Sequence, residues 1–174
     1  MIERKGLVTF RDQDVSVIGA DAEVGSRALE FTVTGLDWKD IKGLAASKDK
    51  VRIICSVVSL ETSVCDRETQ RFNREATDLS EDIVVMVIST DLPFTQERWC
   101  GAAGIDRVMV LSDHKHTDFG QKYACLMKEP RLLRRAVFII DKQDIIRYVE
   151  YLPALSDEPD YERITELAKN IIAG

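Results

Sequence analysis

Three nearly continuous apolar runs predict the central strands of a β-sheet. They span residues 51–58, 83–89 and 108–111. Successive apolar positions, many of them β-branched, are typical of strands that are buried on both faces. The spacing between the runs leaves room for a helix in each connection. The pattern therefore predicts a parallel strand–helix–strand core.

Pairs of shorter apolar runs around polar turns predict a hairpin at each end of this core. The N-terminal pair is 7–10 with 15–18, and the C-terminal pair is 136–140 with 145–149. Each pair is separated by a short charged segment, as in a β-hairpin. A further short strand is predicted at 30–33.

Apolar residues at helical spacing predict the helices. The helical stretches are 64–79, 95–103 (ended by a glycine) and 119–124, followed by a closing helix with a stripe of Ile164, Leu167, Ala168, Ile171 and Ile172. Residues 37–50 are polar and show no regular period. The order of elements predicts one α/β domain over residues 1–174, with a mixed sheet and an extra N-terminal hairpin.

Composition excludes several classes of function. The chain has 174 residues, 45% hydrophobic and 31% charged, which is ordinary for a globular protein. Its longest apolar run, 83–88, is far shorter than the roughly 20 residues that cross a bilayer. With no signal peptide at the N-terminus, a cytoplasmic protein is expected. The net charge of −6, without a cluster of lysine and arginine, makes nucleic acid an unexpected partner.

The four cysteines are Cys55, Cys65, Cys100 and Cys125. None forms a C-x-x-C pair, which argues against a zinc ribbon and against a thioredoxin-type dithiol. Cys55 lies within a predicted central strand and is interpreted as a core residue. Cys125 follows a short helix and is interpreted as packing, with a disulfide as the alternative.

Cys65 stands out because it follows a buried strand and opens a predicted helix. The positive end of a helix dipole favours a thiolate, which is the reactive form of cysteine. The hydroxyl of Thr62, three residues earlier, is in reach of the sulfur or of what the sulfur attacks. This arrangement predicts cysteine redox chemistry, against the alternative of a buried structural thiol.

The chain as a whole resembles the bacterial thiol peroxidases, which are atypical two-cysteine peroxiredoxins with a thioredoxin-like fold. The resemblance covers nearly the whole chain and rests on several segments in order. They are residues 24–31, 62–65, 72–73, 91–94, 99–102, 111–113, 119–120, 135–141 and 148–150.

The resemblance implies a role for each matching residue. Cys65 matches the peroxidatic cysteine, which attacks a hydroperoxide and becomes a sulfenic acid. Thr62 matches the hydroxyl that orients the peroxide, and Arg135 matches the arginine that stabilises the thiolate. Cys100 matches the resolving cysteine of the same subunit, which forms a disulfide with Cys65. The family then reduces this disulfide with thioredoxin, works as a homodimer and uses no metal or organic cofactor.

Several positions depart from the family pattern. Val58, Ser63 and Leu29 stand where the family has prolines, two of them in the active-site loop. Without the fixed backbone of proline we expect a looser pocket and lower activity. Glu61 and Asp66 also flank the thiol, and their negative charges oppose thiolate formation.

Other interpretations stay open at this point. Arg131 and Arg134 compete with Arg135 for the arginine role, and Cys100 suits the core face of its helix. His114 and His116 form an H-x-H pair, for which a solvated loop is the expected setting. The alternative function is a redox sensor or interaction protein on the same scaffold, in which Cys65 is oxidised without turnover. A disulfide oxidoreductase is a weaker alternative, because C-x-x-C is missing.

Overall fold

A seven-stranded mixed sheet lies at the centre of the computed structural model, which describes residues 1–174. The strands of the chain are β1 (Glu3–Arg4), β2 (Thr9–Phe10), β3 (Gln13–Asp14), β4 (Val17–Ile18), β5 (Thr32–Thr34), β6 (Asp40–Lys42), β7 (Val51–Ser56), β8 (Ile83–Ser89), β9 (Met109–Ser112), β10 (Leu126–Met127), β11 (Leu132–Leu133), β12 (Ala136–Ile140) and β13 (Ile146–Tyr151). The helices are α1 (Gly43–Ala46), α2 (Ser63–Ala76), α3 (Pro93–Ala103), α4 (Asp118–Lys122) and α5 (Tyr161–Ala173). None of these helices is long and apolar enough to span a membrane.

The large sheet has the spatial order β13-β12-β7-β8-β9-β5-β6. Strands β7, β8 and β9 are parallel, and all other neighbours in this sheet are antiparallel. The predicted mixed sheet, its parallel core and its C-terminal hairpin are therefore confirmed. Strand β7 is central and its residues are buried on both faces, so the loop that follows it lies at the edge of the sheet near the middle of the strand order.

Side chains alternate between two cores, one on each face of the sheet. Ile53 and Cys55 of β7 face the core that holds α2, α3 and α5, whereas Ile54 faces the core that holds α4. This period of two explains why the central strands read as continuous apolar runs. The two cores matter for the cysteines, since residues on opposite faces cannot meet without crossing the sheet.

The ends of the helices follow local sequence signals. Asp160 caps α5 by accepting a hydrogen bond from the Arg163 amide at 3.1 Å. Helix α3 begins at Pro93 and ends before Gly104, which adopts a φ of 67°. The predicted helices are all present, with bounds that shift by a few residues.

The N-terminal hairpin is present, but its second strand was predicted wrongly. β2 pairs with β3, at Gln13–Asp14, through a tight turn in which Arg11 and Asp12 both have positive φ. The apolar residues of β4 instead pair with β1 and with β10 in a separate four-stranded sheet. A two-residue turn with positive φ at both positions matches the right-handed twist of paired strands. This turn therefore favours the short hairpin of β2 and β3 over the longer one that was predicted.

Structure within residues 37–50 was missed by the sequence analysis, as was the pair β10 and β11. The region holds β6 and the single-turn helix α1. The Glu30 carboxylate accepts hydrogen bonds from the Leu44 and Ala45 amides at 2.8 and 2.9 Å. Because this helix start is held by a residue distant in sequence, no local pattern announces it.

Replacing Gly43 with alanine is expected to destabilise the protein by about 1–3 kcal/mol, because the added methyl group meets the Phe31 ring. Phe31 is fully buried and packs edge-on against Phe119 and Tyr123, so it has no free space to move into. The measurement is urea unfolding. Gly101→Ala is the matched control, since a methyl group there meets no atom within 4 Å; equal stability of the two variants would contradict the expectation.

Candidate active site

Cys65 lies in the first turn of α2, directly after the loop that follows the central strand β7. Its side chain is fully buried in the core that also contains Val58 and Leu60. The thiol therefore sits at the positive end of a helix in a water-poor setting, where charged partners act strongly.

Arg135 contacts the sulfur of Cys65. Its Nη2 atom lies 3.0 Å from Sγ, and its Nε and Nη2 atoms also donate to the Leu155 carbonyl at 3.2 and 3.0 Å. Arg135 is 1% exposed, and it directly precedes β12, which pairs with β7. A rigid guanidinium held in this way places a permanent positive charge against the thiol.

The competing arginines are engaged elsewhere. Arg134 donates to the Ala124 carbonyl and to Asp21, and its guanidinium lies 3.9 Å from the centre of the Tyr151 ring. Arg131 is exposed and donates to the Thr117 hydroxyl at 3.3 Å. Of the three candidates, Arg135 alone reaches Cys65.

Thr62 is the residue that caps α2. Its hydroxyl donates to the Ser59 carbonyl at 2.9 Å and accepts a hydrogen bond from the Cys65 amide at 3.4 Å. The hydroxyl therefore fixes the helix start under the thiol. Its side chain is exposed, so it is also open to a molecule that approaches from solvent.

Glu68 was missed by the sequence analysis. It is fully buried, forms an ion pair with Nη1 of Arg135, and lies one helical turn after Cys65. Burial raises the pKa of Glu68 to about 7, although Arg135 acts in the opposite direction. The sequence did contain a signal for Glu68. Cys65, Glu68 and Phe72 share the buried face of α2, and a glutamate on that face interrupts an apolar stripe.

Asp91 organises the loop between β7 and Cys65. Its carboxylate accepts hydrogen bonds from the Ser59 hydroxyl at 2.7 Å and from the Leu60 amide at 2.8 Å. The same carboxylate accepts from the Ser89 hydroxyl at 2.7 Å. Asp91, two residues after the end of β8, thus fixes the loop that follows β7.

Cys100 lies in α3 and is half-buried, on the same face of the sheet as Cys65. Both cysteines are free thiols in this structure. Burial raises the pKa of the Cys100 thiol, so it holds its proton while α3 is folded.

Neighbours of the two cysteines join α3 to the start of α2. Trp99 Nε1 donates to the Asp66 carboxylate at 2.9 Å, so the residue before Cys100 contacts the residue after Cys65. On the surface, Arg98 forms an ion pair with Glu61 at 2.7 Å. These contacts also engage the two carboxylates that flank the thiol, and they show that Trp99 has a polar contact beyond packing.

The other two cysteines are also buried, Cys55 in the same core as Cys65 and Cys125 in the core on the other face of the sheet. Burial raises the pKa of both the Cys55 and the Cys125 thiol. Cys125 belongs to the core on the opposite face of the sheet from Cys65. A disulfide between Cys65 and Cys125 would therefore have to cross the sheet.

The two histidines of the H-x-H pair lie outside this site. The His114 ring contacts the Ser112 hydroxyl at 2.8 Å, and His116 is exposed.

Prolines at positions 58 and 63 are expected to fit the backbone and to raise turnover. Neither the Val58 nor the Ser63 amide donates a hydrogen bond within the protein, and Thr62, with φ −87° and ψ 143°, suits a following proline. A compatible proline adds about 0.4–1 kcal/mol of stability by restricting the unfolded chain. Steady-state peroxide turnover of Val58→Pro, Ser63→Pro and the double variant tests this; rates equal to that of the natural chain would refute it.

Solved structures with this fold include a peroxiredoxin-like protein. A crystal structure of a peroxiredoxin-like protein from Aquifex aeolicus superposes with a TM-score of 0.86 at 36% identity, and the match covers 96% of this chain and 98% of that one. Residues 24–149 match the model of the AhpC/TSA family. The chain belongs to the AhpC/TSA family.

Curated relatives carry a more specific description. The thiol peroxidase of Oceanobacillus iheyensis is 51% identical over 157 residues, which cover 90% of this chain and 94% of the relative. The thiol peroxidase of Bacillus subtilis is 44% identical over 165 residues, which cover 95% and 98%. The resemblance to thiol peroxidases and the thioredoxin-like fold, both predicted from the sequence, are confirmed.

Proposed function

We propose that this thiol-dependent peroxidase reduces hydrogen peroxide and organic hydroperoxides with Cys65 as the attacking residue. The observation that carries the proposal is the 3.0 Å contact between the Arg135 guanidinium and the Cys65 sulfur at the start of α2. A buried cation and a helix N-terminus both favour the thiolate, which is the nucleophile.

In the first proposed step the Cys65 thiolate attacks one oxygen of the peroxide. The sulfur–oxygen bond forms as the O–O bond breaks, and the electron pair leaves with the distal oxygen as hydroxide or alkoxide. This leaving group takes up a proton to become water or an alcohol, and Cys65 becomes a sulfenic acid. Arg135 and the Thr62 hydroxyl supply donors where this charge develops.

In the second proposed step Cys100 attacks the sulfenic sulfur of Cys65. A disulfide forms, and the sulfenic oxygen leaves as water. A disulfide needs Cα atoms within about 7 Å, so we propose that α3 unwinds locally around Cys100. Exposure to water also removes the burial that raises the pKa of the Cys100 thiol, which makes Cys100 a better nucleophile.

The third proposed step returns the enzyme to its starting state. A dithiol reductant exchanges with the Cys65–Cys100 disulfide, so that both cysteines are reduced and the reductant becomes a disulfide. We propose thioredoxin as this reductant. No metal or organic cofactor takes part in these steps.

We further propose that the chain acts in the cytoplasm, as a single domain over residues 1–174 and as a homodimer. Trp38 packs on Phe94 with ring centres 4.7 Å apart, although both side chains are exposed. An exposed aromatic pair of this kind supports a contact with a second copy. Light scattering of the reduced protein measures the mass, and a monomer at micromolar concentration would contradict the homodimer.

The experiment that tests the function follows NADPH consumption with thioredoxin, thioredoxin reductase and a hydroperoxide. The natural chain is expected to sustain turnover with hydrogen peroxide and with an organic hydroperoxide. Replacing thioredoxin with glutathione and glutaredoxin tests the choice of reductant. Rapid oxidation of Cys65 without turnover in either system would favour the redox-sensor alternative instead.

Cys100→Ser is expected to keep the first oxidation and to lose sustained turnover with thioredoxin by at least about tenfold. Without a thiol to trap it, the sulfenic acid persists and goes on to sulfinic acid in excess peroxide. Mass spectrometry of Cys65 after peroxide treatment measures both products. Cys125→Ala is the matched control, since it removes a cysteine on the other face of the sheet; full turnover by Cys100→Ser would contradict the resolving role.

A further inference from the structure

The carboxyl group of Glu68 is held in an unusual way beside Cys65. One oxygen is paired with Arg135, but Oε1 has no hydrogen-bond partner although it is completely buried. A buried polar atom without a partner is costly, and such atoms are few in native proteins. The mechanism proposed above does not use this group.

Glu68 and Cys65 meet the same cation. They lie three residues apart on α2, so both side chains leave the same face of the helix. Arg135 presents Nη1 to the carboxylate and Nη2 to the sulfur, and it gives Nε and a second Nη2 contact to the Leu155 carbonyl. One guanidinium therefore serves two acidic groups in a core that excludes water.

Arg135, Cys65 and Glu68 form a trio whose net charge depends on how many protons the two acidic groups hold. With both a carboxylate and a thiolate present, the trio carries a net charge of −1 and is buried. With one proton shared between the two acids, the trio is neutral, which burial favours strongly. Two acids coupled through one cation titrate together, not independently.

We propose that Glu68 is a positioning residue that shares Arg135 with Cys65, and that its carboxylate competes with the Cys65 thiolate for the single guanidinium charge. This inference rests on the proposed role of Cys65 as the attacking thiolate. The hydrogen bond to Glu68 keeps Arg135 in reach of the sulfur. The negative charge of Glu68, however, opposes the thiolate until the carboxyl group takes up a proton.

The surroundings of Glu68 support a proton on the carboxyl group near neutral pH. Burial is the largest cause that raises its pKa to about 7, and Glu158 and Glu150 act in the same direction. Arg135 is its only ion-pair partner. The ionisable groups that face Glu68 are Cys65 on its own helix, Cys55 on β7, Arg135 before β12, Glu150 on β13, Glu158 before α5 and Tyr161 on α5.

The test measures alkylation of Cys65 by iodoacetamide as a function of pH, with Cys65 identified by peptide mass spectrometry. Glu68→Gln keeps an acceptor for Arg135 and removes the competing charge. We expect it to react about tenfold faster than the natural chain near pH 8, where the natural Glu68 is ionised and opposes the thiolate, and at a similar rate near pH 6, where the natural carboxyl group already holds its proton. Glu68→Ala removes the acceptor as well and is expected to react more slowly than Glu68→Gln.

A matched control separates this effect from a general change in surface charge. Glu75→Gln makes the same chemical change on the same helix, at a carboxylate paired with Arg71. Its profile is expected to match that of the natural chain. A Glu68→Gln profile that superimposes on the natural one, or that falls to the level of Glu68→Ala, would overturn the proposal.

A measurement on the natural chain applies even if the Glu68 variants fail to fold. Infrared difference spectroscopy follows protonated carboxyl groups before and after Cys65 is alkylated. Alkylation removes the competing thiolate, so Glu68 is expected to lose its proton at lower pH; an unchanged carboxyl titration would refute the competition. Peroxide turnover that persisted in Cys65→Ser would instead refute the proposed function, whatever the carboxyl titration showed.

Discussion

Cys65→Ser is expected to lower peroxide turnover by at least about 1,000-fold while leaving the fold intact. A serine hydroxyl is not ionised near neutral pH even beside Arg135 and at a helix N-terminus, so it is a poor nucleophile toward the O–O bond. The change is nearly isosteric at a site that is fully buried. Coupled turnover and stopped-flow oxidation measure the loss, and circular dichroism checks the fold.

The control for this variant is Cys125→Ala, whose cysteine is equally buried but lies on the other face of the sheet. It is expected to keep turnover within about twofold of the natural chain, because nothing in the site contacts it. Retained activity in Cys65→Ser, or an equal loss in Cys125→Ala, would show that the reactive thiol had been assigned wrongly.

Arg135→Ala is expected to lose both activity and stability, for separable reasons. Its guanidinium donates to Cys65, to Glu68 and to the Leu155 carbonyl. Loss of donors aimed at developing charge lowers kcat/KM by about 100- to 1,000-fold. Removal of Arg135 leaves the buried Glu68 without its ion-pair partner, at a cost of up to about 3–5 kcal/mol at a pH where Glu68 is ionised and less where it holds a proton.

A second change separates the two effects. Adding Glu68→Gln to Arg135→Ala removes the orphaned charge, so part of the stability is expected to return while activity stays low. Urea unfolding and peroxide kinetics on the single and double variants measure this. Arg131→Ala is the control, since that arginine is exposed and does not reach Cys65. Recovery of activity together with stability would mean that Arg135 supports the fold and not the chemistry.

Most of the scaffold could be predicted from periodicity. The central strands were recognised because burial on both faces leaves few polar residues in them: Arg52 and Ser56 in β7, and Ser89 in β8. The end of α3 was recognised because Gly104, directly after its last residue, marks it. These signals depend on neighbours in sequence, so a single chain displays them.

Features held by distant residues escaped prediction. Helix α1 depends on the Glu30 carboxylate, and β4 pairs with β10 through Val17 and Met127. In the same way, the loop before Cys65 is fixed by Asp91. Each contact joins residues that are far apart in sequence, so no local period encodes it.

In the site, the reactive cysteine and its arginine could be predicted from the sequence, but the buried residue that pairs with the arginine could not. Cys65 and Arg135 were candidates from the sequence, and the structure brings them together. Glu68 was overlooked because a glutamate among charged neighbours on a helix is usually solvated. Only its position on the buried face, one turn from Cys65, distinguishes it from exposed residues such as Arg67.

The most direct test of the proposed chemistry adds one equivalent of hydrogen peroxide to the fully reduced protein and maps all four cysteines by mass spectrometry. We expect an intramolecular disulfide between Cys65 and Cys100, with the intact chain lighter by two hydrogen atoms. Cys55 and Cys125 are expected to stay reduced, because burial raises the pKa of both thiols, whereas the Arg135 guanidinium contacts the sulfur of Cys65. Oxidation that spares Cys65, or a disulfide that joins Cys65 to a residue other than Cys100, would contradict the account.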